Sequence, residues 1–266
     1  MDFLVIGSSI AFVAYLLATV AILSRLFHPQ GPNLNLVLVF AILAIVTHLF
    51  NEAQLLFSQE AINFSLPNVI SLVSLIITIT ISVVALRSKV NLLLPVIYGF
   101  AGIWQLVMIF IPKVDSIPLV AEKVILVSHI GLALIAYCIL IIATLYAFQV
   151  AYINIKLKNK NLTAVVHLPP LMQVEKQLFT ILTVGTVTLF SSELIGLFFL
   201  DGFFAKENIH KTVLSLIALF IYIIILFGHF KQGWRGHKVL LLTITASAIL
   251  TLSYFGSRFV KEFLLS

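Results

Sequence analysis

Long apolar stretches dominate the chain, and short polar segments separate them. Each stretch is close to the roughly 20 residues that a helix needs to cross a bilayer. The eight predicted spans cover about residues 4–24, 34–50, 68–86, 92–111, 124–150, 178–200, 212–228 and 239–259. Hydrocarbon offers backbone groups no partners, so each span is expected to be a helix. The strands of a barrel would be shorter and would alternate in polarity.

This pattern predicts an all-α fold, a polytopic membrane protein in which residues 1–266 form a single domain of eight transmembrane helices. Hydrophobic residues make up 61% of the chain and charged residues 10%, which excludes a soluble globular domain. The longest predicted cytoplasmic loop, about residues 151–177, is too short for a separate domain. Asp2 precedes the first span where a cleavable signal peptide would carry basic residues, so that span is expected to be retained.

The basic residues between the spans predict the orientation. Ten Lys and Arg residues lie in the loops after spans one, three, five and seven, with a single acid, Glu175. The opposite side has six basic residues and eight acids, among them Glu52 after the second span. Cytoplasmic loops carry an excess of Lys and Arg. We therefore expect both termini outside the cytoplasm of a bacterial inner (cytoplasmic) membrane. The net charge of +6 is a topology signal and does not indicate nucleic acid.

Several functional classes lack their motifs. The single cysteine, Cys138, rules out an internal disulfide, a CxxC redox pair and covalent CxxCH haem attachment. The sequence has no Walker loop, no dinucleotide fingerprint and no HExxH motif. Pro170 suits the first turn of a new helix, because proline cannot continue a preceding one. Trp234, beside basic residues, is predicted to anchor a turn at headgroup depth.

Polar residues concentrate in the half of the spans that is predicted to face outward. Ionisable groups at such depth are expensive and normally face the bundle interior, a partner or a cavity. Taken singly, several of them fit interfacial residues that snorkel to the headgroups, but as a set they predict an outward-facing polar site. The set comprises His48, Gln105, His129, Glu193, His210, Tyr254 and Arg258.

Three chemistries fit this set. A zinc site needs three or four ligands, which His48, His129, His210 and Glu193 could supply. A proton or ion pathway needs polar groups at several depths. Two histidines at the outer ends of separate helices also suit bis-histidine ligation of haem iron. The haem propionates would then reach cations at the interface. The candidates are Arg258, Lys211 and Lys123. The pattern alone leaves all three open.

Two segments carry a resemblance to a known family. Residues 123–137, KVILVSHIGLALIAY, contain His129, and residues 209–215, IHKTVLS, contain His210. They resemble the segments around two external histidines of the CcsA/CcmC family of cytochrome c assembly proteins, over about residues 40–262. LPPL at 168–171, GWRG at 233–236 and SYFGSR at 253–258 are closest to its YpjD/HemX-like branch. The resemblance implies that His129 and His210 are the axial ligands of haem b.

The chain departs from that family in one feature. Such assembly proteins carry a tryptophan-rich segment between the two histidines, as a platform against the haem face. The only tryptophans here are Trp104 and Trp234, and neither lies between His129 and His210. The departure bears on presentation of haem to an apocytochrome more than on haem binding.

The sequence thus predicts a membrane protein that binds, handles or senses haem b at its outer face and is not an enzyme. Arg258 is assigned to a propionate, and Glu193 or His48 to the surroundings of the ligands, from depth alone. Other cytochrome assembly proteins are the expected partners. One alternative is a secondary transporter or ion-coupled carrier, although no repeat between the halves is visible. Another is a regulatory membrane partner without a cofactor.

Overall fold

The computed structural model is all-helical over the residues it describes, with no strand among them. The described residues are 3–26, 28, 31–57, 65–111, 124–160, 168–200, 203–206, 208–256 and 259. The α-helices are α1 (Phe3–Leu23), α2 (Leu34–Phe57), α3 (Leu66–Ala85), α4 (Leu94–Phe110), α5 (Val124–Lys158), α6 (Leu171–Phe199), α7 (Ile209–Gln232) and α8 (His237–Thr251), with a π-helical turn at Leu252–Gly256. Among the described residues, seven helical stretches are long and apolar enough to cross a membrane, the last being α8 together with the π-helical turn, and α4 is a shorter apolar helix. The prediction of an all-α polytopic membrane protein is confirmed.

Some helices extend beyond the ends of the predicted spans, into segments that contain more polar residues. Helix α2 runs to Phe57, seven residues beyond the predicted end, and α5 runs to Lys158. Helix α6 begins at Leu171, directly after Pro170, as expected for a proline at a helix start. Helix α7 ends at Gln232 and is capped by Gly233 with φ +66°, a left-handed conformation that glycine adopts without steric cost.

The chain forms two compact units. Unit 1 comprises Met1–Val120 and Lys160–Pro169, and unit 2 comprises Ala121–Asn159 and Pro170–Ser266. In unit 1, α1 packs against α2 and α4, and α3 contacts α2 and α4. In unit 2, α5 packs most extensively against α6, and α8 contacts α5 and α7. That the whole chain forms a single domain stays a prediction.

Large apolar side chains on the outer faces of the helices are exposed, whereas polar ones are buried. Val39 and Phe220 lie open on their helices, while Ser71 and Ser192 are completely buried. This distribution is expected where lipid is the solvent, because small and polar residues pack and hydrogen-bond between membrane helices. It places the candidate chemistry inside each unit.

Candidate functional site

His129 lies on the second turn of α5 and is held by α6. Its Nδ1 lies 2.8 Å from the carbonyl oxygen of Ser192, and the Ser192 hydroxyl donates to the His129 carbonyl at 3.1 Å. A carbonyl only accepts, so Nδ1 carries the proton and the lone pair of the neutral ring is on Nε2. Within the described residues Nε2 has no hydrogen-bond partner. A histidine fixed through one nitrogen, with the other available, is the usual arrangement of a metal ligand.

The loop between α6 and α7 folds onto His129 through Phe203. The two rings meet edge to face with centroids 6.2 Å apart, and Phe203 makes a similar contact with Phe204. Thr212 of α7 donates to the Phe203 carbonyl at 2.8 Å, which ties this loop to the next helix. Gly196 makes the close approach possible, because a Cβ there would lie 2.9 Å from Cε1 of His129 and closer still to the Phe203 ring.

His210 is the second residue of α7 and lies at the same end of unit 2. The chain of contacts from His129 through Phe203 to Thr212 leads to the turn that carries it. Its side chain is exposed, and in the described part of the chain neither ring nitrogen has a hydrogen-bond partner. The Ser253 hydroxyl donates to the Lys211 carbonyl at 2.7 Å and so fixes this turn against the π-helical turn. The fold therefore brings His129 and His210 to one end of one unit.

Glu193 is buried directly after Ser192 in α6. Its carboxyl group lies beside Ser215 of α7 and near Tyr254, and its side chain is 7% exposed. Among the described residues, Oε2 of Glu193 and the hydroxyls of Tyr222 and Tyr254 have no hydrogen-bond partner. Buried polar atoms are nearly always paired in folded proteins. Hydrogen-bonding groups without a partner are therefore buried in the interior of unit 2, and one of them, on Glu193, is next in sequence to the residue that orients His129.

His48 belongs to a separate network in unit 1. Its Nδ1 lies 3.2 Å from the Tyr15 hydroxyl, and its Nε2 lies 2.9 Å from the Ser71 hydroxyl. Gln105 donates to the same Ser71 hydroxyl at 3.2 Å. Both ring nitrogens of His48 are thus engaged, which leaves none for a metal.

The structure corrects the end of the second span, and with it the surroundings of Glu52. The second apolar run stops at Phe50, so Glu52 was counted among the acids of the outer side, but α2 continues and buries it to 2% exposure. Its Oε2 lies 3.9 Å from Nε2 of His48, and neither carboxyl oxygen has a hydrogen-bond partner in the described residues. A polar residue at the end of an apolar run was the available signal. Only the packing of the neighbouring helices shows that it is buried.

The last points on the predicted site concern the residues that the structure does not describe and the choice between zinc and haem. Arg258 and Lys123 lie outside the described residues, so their assignments stay predictions. Across the part of the chain that the structure describes, no three His, Cys, Asp or Glu side chains come close enough to hold a metal ion, so nothing there supports the zinc alternative. The donor set of unit 2 fits haem, because two histidines on separate helices can supply two axial nitrogens.

Comparison with known proteins gives the family. The sequence profile described as Cytochrome C assembly protein matches residues 36–265, and the chain belongs to this family. It is 42% identical over 255 residues to Inner membrane protein YpjD of Escherichia coli strain K12, covering 95% of this chain and 97% of that protein. The protein of the same name from E. coli O157:H7 gives the same values.

A more distant relative covers about half of the chain. The Uncharacterized 28.8 kDa protein in nifR3-like 5'region of Azospirillum brasilense is 28% identical over 141 residues, 52% of either chain. No solved structure matches the chain. With seven apolar helices of spanning length and the YpjD relatives, the chain is a multi-pass inner membrane protein.

Proposed function

We propose that this protein binds haem b at one end of unit 2, with His129 and His210 as the two axial ligands. The observation that carries the proposal is the 2.8 Å contact from Nδ1 of His129 to the Ser192 carbonyl, which leaves Nε2 as a ligand. Membership of the cytochrome c assembly family supports a haem-handling role for the same site. Haem would supply an iron with two open axial positions, which imidazole nitrogens fill well.

The chain's own residues bind and orient in this proposal, and none acts as a catalyst. Ser192 fixes the tautomer and direction of His129, and Thr212 holds the loop beside the ring. Phe203 and Phe204 form an edge-to-face pair in that loop. We assign them part of the contact with the haem face that the tryptophan-rich segment makes elsewhere in the family. The protein is then a haem-binding membrane protein of the assembly type and not an enzyme.

Absorption spectra of the detergent-purified protein and its histidine variants test the ligation. We expect His129→Ala and His210→Ala each to remove or greatly weaken a low-spin haem spectrum. Free imidazole should partly restore it in both variants, because truncation leaves a space that imidazole can fill. His237→Ala is the matched control, since His237 is also exposed at the first residues of a helix, but at the opposite end of unit 2.

Two results would contradict the proposal. One is loss of haem on His237→Ala with none on His210→Ala. The other is that the purified protein takes up no haem on reconstitution. Its thermal unfolding would then be the same with and without added haem. Melting temperatures of all variants separate loss of a ligand from loss of the fold.

A second candidate, an ion-coupled carrier, is favoured by one observation in unit 1. Glu52 is a buried carboxyl group with two unpaired oxygens, 3.9 Å from His48 within α2. Ionisable side chains within membrane helices often mark ion or proton pathways. On this alternative, Glu52→Gln should abolish a dependence of the melting temperature on Na⁺ at constant ionic strength and pH. A wild-type melting temperature that is equal in Na⁺ and in a bulky organic cation would eliminate Na⁺ as the coupling ion.

A further inference from the structure

Unit 2 contains an open groove at the end opposite to His129 and His210. It has a volume of about 800 Å³ and lies between the first turns of α6 and the last turns of α7. Met172, Phe179, Val184 and Phe230 supply most of its apolar wall. Lys176 lies sixteen residues before Ser192, which is about 24 Å along a helix. The groove is therefore distinct from the candidate haem site.

The α7 side of the groove is firmly built. His229 stacks on Phe179 with ring centroids 3.3 Å apart, and its Nδ1 bonds the Trp234 carbonyl at 3.1 Å. Gly228 lets Trp234 fold back over α7, since a Cβ there would collide with the indole ring. Lys238 lies over the same indole, 3.3 Å from its centre. The turn that carries Arg235 is thus held in place before any ligand binds.

Two cations stand where this apolar groove meets the helix ends. Lys176 and Arg235 both line it, and the Arg235 side chain is 60% exposed. Glu175 also lines the groove, but its Oε2 lies 3.9 Å from Nε of Arg235 and is neutralised by it. This separation is an ion pair without a hydrogen bond, so the guanidinium donors stay available for a ligand. Apart from His229, the groove therefore carries one net positive charge. Its cationic groups are suited to binding an oxyanion.

The exposure of the apolar wall identifies the surroundings. Met172 is 74% and Phe230 68% exposed, on helices long enough to cross a membrane. Both lie near helix ends, as Lys176 and Arg235 do, at headgroup depth, whereas Val184 is 51% exposed and lies eight residues, about 12 Å, farther along α6 than Lys176, where it faces hydrocarbon. An occupant must combine an apolar chain with an anionic head at one end. Basic pockets between membrane helices bind anionic lipid headgroups on this basis.

We propose that the α6–α7 groove is a specific site for an anionic phospholipid. Lys176 and Arg235 bind the phosphate, and an acyl chain lies along Phe179, Val184 and Phe230. The site does not depend on the proposed haem function, because it shares no ligand with it.

Native mass spectrometry of the purified protein with phosphatidylglycerol or phosphatidylcholine of equal chain length tests the site. We expect one tightly bound phosphatidylglycerol and clearly weaker binding of phosphatidylcholine. Lys176→Gln and Arg235→Gln should each weaken phosphatidylglycerol binding about fivefold, the factor for one interfacial cation. Lys158→Gln is the matched control, because Lys158 is an exposed base at the end of α5, outside the groove.

A second variant tests the acyl-chain part without changing charge. Thr180 lines the groove and is exposed, so Thr180→Phe should fill the groove and weaken binding while the melting temperature is kept. Equal affinity for the two lipids, or equal loss with Lys158→Gln, would refute the proposal. So would loss of haem from Lys176→Gln, because the groove would then serve haem. His129→Ala should keep its lipid, so failure of the haem proposal leaves this result interpretable.

Discussion

Gly196 of α6 is the position at which one added methyl group tests the geometry around His129. A Cβ at Gly196 would lie 2.9 Å from Cε1 of His129 and 2.8 Å from Cδ2 of Phe203. Carbon atoms in favourable contact are about 3.5–4.0 Å apart, so the imidazole must move by about 0.6–1.1 Å. Metal–ligand distances normally lie within about 0.2 Å of their standard values, which is much less than this displacement. Gly196→Ala should therefore disturb ligation.

The cost to folding should be much smaller than the cost to haem binding. Overpacking costs about 1–3 kcal/mol, and the better helix propensity of alanine returns about 1 kcal/mol of it. Disturbing the group that orients a metal ligand typically lowers affinity about ten- to hundredfold. We expect haem affinity to fall by this factor while the protein still purifies as a folded species.

Two other glycines of unit 2 are matched controls in the same assay, a haem titration followed by absorption and by thermal unfolding. Gly131→Ala lies two residues from His129 and meets nothing within 4 Å, so it should keep its haem. At Gly185 a Cβ would lie 2.8 Å from Leu140 Cδ2 between α5 and α6, so Gly185→Ala should lower stability more than haem affinity. Unchanged haem affinity in Gly196→Ala, or an equal loss in Gly131→Ala, would refute the reasoning.

Three further expectations concern orientation, unit 1 and Arg258. In intact cells, a cysteine introduced at Lys158 should not react with a membrane-impermeant thiol reagent, and one introduced at Lys206 should react. Native Cys138 should not react, because it is buried. The reverse result would invert the predicted topology. His48→Ala should lower the free energy of unfolding by about 1–3 kcal/mol, since Tyr15 and Ser71 lose their partner, and keep its haem; haem loss would instead assign His48 to the site. Arg258→Lys should retain most haem and Arg258→Glu lose much of it, measured as haem per protein; equal retention would remove Arg258 from the propionates.

The sequence by itself determined the class of fold, because the cost of exposing backbone groups to hydrocarbon makes each long apolar run a helix. It also singled out His129 and His210, through local motifs that resemble the family, and placed a helix start at Pro170. These signals are local motifs or depend on the order of residues along the chain, so they can be recognised without the tertiary structure.

The tertiary structure decided which polar residues share a site. Depth along a helix grouped His48 with Glu193, yet contacts with Tyr15 and Ser71 place His48 in unit 1. Glu52 follows an apolar run, which predicts a position beyond the end of the second span, but α2 extends and neighbouring helices bury it. The bond from His129 to Ser192 joins residues 63 apart in sequence. Depth is a property of one helix, whereas burial and hydrogen bonding depend on which face each helix turns to its neighbours.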